Sequence, residues 1–170
     1  LEDRVLDLTR AAARLTADCA RRHSAPGRPR FAAGSMGPGT KSIMLSGGID
    51  FAGIAEAHAE QAQGLLEGGA DLLLLETQQD PLNIKASLAG IEDCFKRMNR
   101  SIPVLLSVSI EPMGTTLAGQ TAEALSDSTA HWGLLGLGLN CATGPDFMTD
   151  HVRTLAGLSS SFVLFYPNAG

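Results

Sequence analysis

The chain has 170 residues, 44% of them hydrophobic and 18% charged, with a formal net charge of -5 and a pI near 5.3. That is enough for one domain with a real core, and its acidity argues against the basic face that nucleic-acid binding needs. Three scattered cysteines, Cys19, Cys94 and Cys141, make no disulfide framework, no signal peptide is visible and the longest Leu run is Leu72–Leu75, so the expectation is a cytoplasmic protein without a membrane partner.

In chain order, Leu1, Val5, Leu8, Ala12, Leu15 and Cys19 recur at helical steps and predict one apolar face, with Cys19 buried on it. Pro26-Gly27-Arg28-Pro29 is a loop, and its flanking arginines read as a solvated basic cluster. Arg30–Ala33 reads as a short strand running into Gly34-Ser35-Met36-Gly37-Pro38-Gly39-Thr40. Phe51, Ile54, Ala55, Ala62, Leu65 and Leu66 form the next helical face, closed by Gly68-Gly69. Asp71–Glu76 is a buried strand ending in a carboxylate, and Asp80-Pro81 supplies the cap and first residue of another helix. That helix shows Ile84, Leu88, Ile91, Phe95 and Met98 on one face, which also buries Cys94.

Ile102–Ile110 predicts a strand, residues 111–120 a long loop, and Thr121–Trp132 a helix. Leu134–Leu137 is the core of a further strand, which lifts into Gly138-Leu139-Asn140-Cys141-Ala142-Thr143 before Gly144-Pro145 opens a helix. That helix is expected to bury Phe147, His151 or Val152, Leu155 and Leu158, and Ser161–Tyr166 is the last strand. Five strands joined by helices imply a parallel sheet with right-handed crossovers. Either a doubly wound sheet or part of a (β/α)₈ barrel satisfies the pattern; a whole barrel needs about 250 residues. Both gather the polar groups at strand ends (Ser35, Glu76, Thr77, Glu111, Asn140, Cys141 and Asn168) on one face.

Several motifs need weighing. Gly34–Ser42 fails the phosphate-loop pattern because Thr40 separates Gly39 from Lys41. His23, His58, His131 and His151 lack metal-ligand spacing. Glu76 is a solvated or capping acid, or else a base or ammonium-binding group. Asn168 holds a turn or recognises a zwitterion. Cys141, where a strand ends and a loop begins, is an inert small residue, a nucleophile or a metal ligand. Spacing leaves all three open.

Four ordered segments are more specific: Phe31–Pro38, Glu67–Thr77, Gly138–Pro145 and Tyr166–Gly170. Together they closely resemble the homocysteine-binding domain of the homocysteine S-methyltransferase family, in its cobalamin-dependent methionine synthase branch. The resemblance runs from about residue 30 to the end. It implies a (β/α)₈ barrel of which this chain holds about five strands, residues 1–170 being one partial domain that lacks the first strands and the last. It also implies methyl transfer to the thiol of homocysteine, giving methionine, with zinc keeping that thiol as thiolate.

On the family's pattern Cys141 is the first zinc ligand, and Glu76 and Asn168 contact the amino-acid end of homocysteine. Asn140 belongs to the same pocket, and the backbone of Gly34-Ser35 helps form its floor. The other two zinc ligands, an adjacent Cys pair, do not occur in this chain. Cobalamin and methyltetrahydrofolate are bound in the family by separate domains, which are also not represented here. The expectation is an internal piece of a larger enzyme that is inactive alone and prone to self-association. The alternatives are a betaine or S-methylmethionine donor, or a non-catalytic amino-acid-binding remnant.

Overall fold

A computed structural model describes residues 2–45 and 47–169. Five strands, β1 (Ala33–Met36), β2 (Leu72–Gln78), β3 (Val104–Val108), β4 (Gly136–Cys141) and β5 (Phe162–Pro167), alternate with five helices. These are α1 (Val5–His23), α2 (Phe51–Gly68), α3 (Pro81–Met98), α4 (Ala122–Thr129) and α5 (Pro145–Leu158). All pairings are parallel, and the order across the sheet is the order along the chain.

That order decides the architecture. A doubly wound sheet reverses at a switch point and carries helices on both faces. Here every crossover steps the same way, so with one handedness the connecting helices fall on one face and the other face is left as an inner wall. The sheet is a five-stranded arc of a (β/α)₈ barrel.

Alternation along the strands divides the two faces. Met36, Leu73, Leu75, Leu106, Val108, Leu137 and Leu139 are buried in the core with Leu66, Ile84 and Ile91 of the helices. The intervening residues line the inner wall: Ser35, Leu74, Glu76, Leu105, Ser107, Gly138, Asn140, Leu164 and Tyr166. The helix ends follow local chemistry. Asp50 Oδ1 accepts from Gly53 N–H at 2.8 Å, Asp80 Oδ1 from Leu82 N–H at 2.8 Å, and Gly69 closes α2 at φ +93°.

Several expectations fail here, Phe51 among them, which is exposed at the start of α2. The apolar stripe of α1 does not face the core. Ala13 and Ala17 are buried, while Leu8, Leu15 and Cys19 are exposed; Leu1 lies outside the described residues. α2 presents Gly64 and Gly68 to α1, where a Cβ would come within 1.9 Å of Thr9 Oγ1 and 2.4 Å of the Arg10 carbonyl oxygen. Only a small-residue face can approach that closely, so it wins over the larger Leu stripe. Leu8 and Ala12 instead line a groove with Ala33 and Ser35 along the open edge of β1.

α5 likewise buries Met148 and Leu155, leaving Phe147 and Leu158 exposed. The first strand begins at Ala33 rather than Arg30, because its pairing register starts at Ala33 opposite Leu72.

Candidate functional site

Each of the five strands sends one polar side chain to the inner wall near its C-terminal end: Ser35, Glu76, Ser107, Asn140 and Tyr166. They join into a belt. Ser35 Oγ donates a hydrogen bond to Glu76 Oε1. Tyr166 OH, reaching from β5 back to β2, donates to Glu76 Oε2 at 3.1 Å. Ser107, fully buried, donates to Asn140 Oδ1 at 2.6 Å.

Asn140, 1% exposed, is the hub. Its Oδ1 also accepts from Thr77 N–H at 3.2 Å, and its Nδ2 donates to Thr77 Oγ1 at 2.9 Å and to Cys141 Sγ at 3.0 Å. Below it the inner row of β4 is bare. A Cβ on Gly138 would lie 1.9 Å from the Leu164 backbone oxygen, so only glycine lets β5 come this close.

The backbone is strained at the same place. The β2–β3 pairing slips between Leu75 and Gln78, setting Glu76 and Thr77 against the single residue Ser107 as a bulge. Thr77, Cys141 and Ala142 take φ of 59°, 56° and 52°. For a β-branched Thr this region is an outlier, and each such residue costs on the order of 1–2 kcal/mol. Strain of this kind persists where surrounding contacts over-determine it, typically at functional sites. Here the contacts are those of Asn140, and the tight bond from Thr143 N–H to the Cys141 carbonyl at 2.6 Å.

Of the residues singled out in the sequence, the structure brings Ser35, Glu76, Asn140 and Cys141 to one rim. Gly34 lies in the same strand but turns toward α2, where a Cβ would meet Leu65 Cδ1 at 2.9 Å, so only its backbone can serve the inner wall. Asn168 is exposed past β5, outside the belt, with its backbone N–H on the Thr143 carbonyl at 3.3 Å. The other two thiols are remote: Cys19 is exposed on α1 and Cys94 is buried on α3, its thiol pushed up by burial. His58 is buried in α2, with its ring nitrogens 3.1 Å from the Ile54 carbonyl and 3.2 Å from the Gly37 carbonyl.

Ser107 and Tyr166 were not among the sequence candidates. Counting by two from Leu105, or from Phe162 through Leu164, places both on the inner wall.

A separate cavity of about 200 Å³, which no belt residue lines, is formed by Pro38–Ser42, Leu45, Gln78–Asp80, Asn83 and Leu117. Its loop is clasped from α3. Ser42 Oγ donates to Asp80 Oδ2, Ile43 N–H to Asn83 Oδ1 at 3.0 Å, and Asn83 Nδ2 to the Lys41 carbonyl at 2.9 Å. No helix starts at Lys41-Ser42, in keeping with the failed phosphate-loop pattern. The Lys41 ammonium donates instead to the Gly48 carbonyl at 3.2 Å.

The sequence comparisons with known proteins agree on one group. The family model described as homocysteine S-methyltransferase matches residues 1–170. The chain belongs to the homocysteine S-methyltransferase family.

Methionine synthase of Mycobacterium tuberculosis (strain ATCC 25618 / H37Rv) is 40% identical over all of this chain. That of Mycobacterium leprae (strain TN) is 37% identical over the same length. The chain spans 14% of each of these relatives. Among solved structures, the apo form of the homocysteine methyltransferase MmuM from Escherichia coli superposes with a TM-score of 0.77 at 21% identity, covering 97% of this chain and 62% of that one. Its metallated form gives 0.74 at 22% identity, covering 95% and 59%. A 2,3-dimethylmalate lyase gives 0.57 at 13% identity, covering 90% of this chain and 48% of that one. At such identities the superpositions show a shared barrel fold, and the family assignment rests on the sequence.

Tyr166 is the one tyrosine of these 170 residues, which makes its ionisation directly observable. Burial, first of all, pushes its hydroxyl up to about 12; Ser107 pulls against this and the neighbouring Glu76 adds to it. An acid raised in the fold loses its proton earlier when unfolded. Its contribution to stability is therefore complete below about pH 10 and lost as the pH climbs through about 12. Tyrosinate absorbance of the folded chain is expected to rise near pH 12, and that of the chain in denaturant near pH 10. A folded midpoint near 10 would place the hydroxyl in solvent and dissolve the belt.

Proposed function

We propose that this chain is the homocysteine-binding wall of a homocysteine S-methyltransferase of the methionine synthase type, which transfers a methyl group to the homocysteine thiol and gives methionine. The observation that carries this reading is the pairing of two chemistries on one rim. Glu76 is a carboxylate oriented from both sides, suited to an ammonium group. Cys141 is a thiol at the next-but-one strand end, linked to Glu76 through Asn140 and Thr77. Homocysteine carries an ammonium at one end and a sulfur at the other. Ser35, the Gly34 backbone and Asn140 complete the wall, and Asn168 is free to reach the substrate carboxylate from the β5 end.

We assign residues 1–170 to one partial barrel domain whose remaining strands lie outside this chain, in a cytoplasmic protein. The relatives' greater length supports a larger parent with further domains, for which cobalamin and methyltetrahydrofolate are the methyl carriers the family resemblance implies. No helix among the described residues is long and apolar enough to cross a membrane.

Zinc needs a separate test. A catalytic zinc site takes three protein ligands and an open position. Among the described residues no three His, Cys, Asp or Glu side chains are grouped to hold a metal, and neither Cys19 nor Cys94 approaches Cys141. The described residues do not make a zinc site by themselves. Cys141 is assigned as one ligand, with two further cysteines supplied from outside the chain. In equilibrium competition with a chromophoric chelator, the isolated chain is therefore expected to hold zinc weakly; tight stoichiometric binding would overturn that assignment.

The function itself is tested by calorimetry on the parent protein. Saturable binding of homocysteine, and its loss for the N-acetylated substrate, is the expected pair of results. Equal binding of both would remove the role given to Glu76.

A further inference from the structure

We propose that Tyr166 is a positioning residue for amino-acid recognition, its hydroxyl holding the Glu76 carboxylate in the orientation that receives the substrate ammonium. The inference rests on the reading of Glu76 given above and adds to it a residue on a different strand.

Glu76 and Tyr166 belong to β2 and β5, with β3 and β4 between them. The bond at 3.1 Å therefore spans the arc rather than a neighbouring strand pair. No other inward residue of β5 could make it: Phe162 and Leu164 are apolar. The position of the ring is set by its strand, because Tyr166 pairs in register with Asn140 of β4.

The two donors to Glu76 come from opposite sides, Ser35 to Oε1 and Tyr166 to Oε2. A carboxylate has about four acceptor positions, so each oxygen keeps one for a ligand. With Ser35 alone the carboxylate could swing about its last bond. With both donors it is clamped, and substrate binding no longer has to freeze it. The phenol stays protonated far above neutral pH, so it remains a donor throughout the working range.

A residue that holds the ammonium-binding group must matter only to ligands that carry an ammonium. The test compares homocysteine with its des-amino analogue, sulfanylbutanoate, which keeps the thiol and the carboxylate. Both are titrated calorimetrically into the parent protein, as wild type, Tyr166→Phe and Tyr166→Leu. Tyr166→Phe is expected to weaken homocysteine about ten-fold, the worth of one hydrogen bond to a charged group, and to leave sulfanylbutanoate unchanged. In turnover the same variant should raise KM with little change in kcat.

Equal affinity of wild type and Tyr166→Phe for homocysteine would overturn the proposal. So would a parallel loss of both ligands, which would mean that the side chain only supports the fold; Tyr166→Leu, which also removes the ring, shows the size of that structural effect. A wild type that binds the two ligands equally would instead reject the role of Glu76, and the positioning role with it.

Discussion

Glu76→Gln is expected to weaken homocysteine binding by about a hundred-fold while leaving the fold in place. The amide keeps the shape of the side chain, and both of its hydroxyl partners can adapt. Ser35 or Tyr166 continues to donate to the amide oxygen, and the other rotates to accept from the amide nitrogen. Stability in urea should therefore change by less than about 1 kcal/mol. What is lost is the negative charge. Removing one member of a desolvated, hydrogen-bonded charge pair costs about 2–5 kcal/mol, and the half-buried position of Glu76 places it in the lower part of that range. Calorimetry would show the loss for homocysteine and not for sulfanylbutanoate. Binding within two-fold of wild type would mean that the ammonium is held elsewhere, and the inner wall would need another reading.

The effect is larger than that expected for Tyr166→Phe because the two residues act at different removes. One supplies the charge; the other only aims it. The difference between the two variants measures how much of the recognition is charge and how much is orientation, provided Ser35 is left intact.

Much of this site is legible in the sequence because strand periodicity is strict. Once Asp71–Glu76 is taken as a strand, Leu73 and Leu75 must face one way and Leu74 and Glu76 the other, as they do. The helix starts at Asp80-Pro81 and Gly144-Pro145 follow from capping chemistry confined to a few residues, and both appear where expected. The choice of barrel over open sheet did not follow from alternation. It required strand order, which local patterns do not encode, and the family resemblance supplied it.

The misreadings have a common cause. Helical periodicity shows which residues of α1 share a face but not which face the rest of the chain will cover. Gly64 and Gly68, some fifty residues downstream, make the decision by admitting Ala13 and Ala17 closely. The same local periodicity predicts a buried Cys19, which is exposed for the same distant reason. Phe147 and Leu158 repeat the pattern on α5. The role of Tyr166 is not legible locally because its partner is 90 residues away. Register places it on the inner wall, but nothing local says that it reaches Glu76.

The second large effect is expected at Asn140, and it bears on how the strained rim is held. Asn140→Ala removes the acceptor of the Thr77 N–H and of the fully buried Ser107 hydroxyl, together with the donor to Thr77 Oγ1 and Cys141 Sγ. Orphaned groups of this kind cost about 1–3 kcal/mol each, so a loss of about 2–4 kcal/mol is expected in urea denaturation, read as a lower midpoint at constant m-value. The strain at Thr77 and Cys141 adds to this, because their left-handed φ values lose the contacts that maintain them. Asn140→Asp is the sharper probe. It is nearly isosteric and keeps both acceptor bonds, yet it loses both donors and sets an unpaired charge at a position only 1% exposed. It should destabilise at least as much as alanine. If aspartate is instead tolerated, the amide nitrogen contributes nothing to the rim, Cys141 is oriented by its turn alone, and only the acceptor bonds from Thr77 and Ser107 remain to make Asn140 a hub.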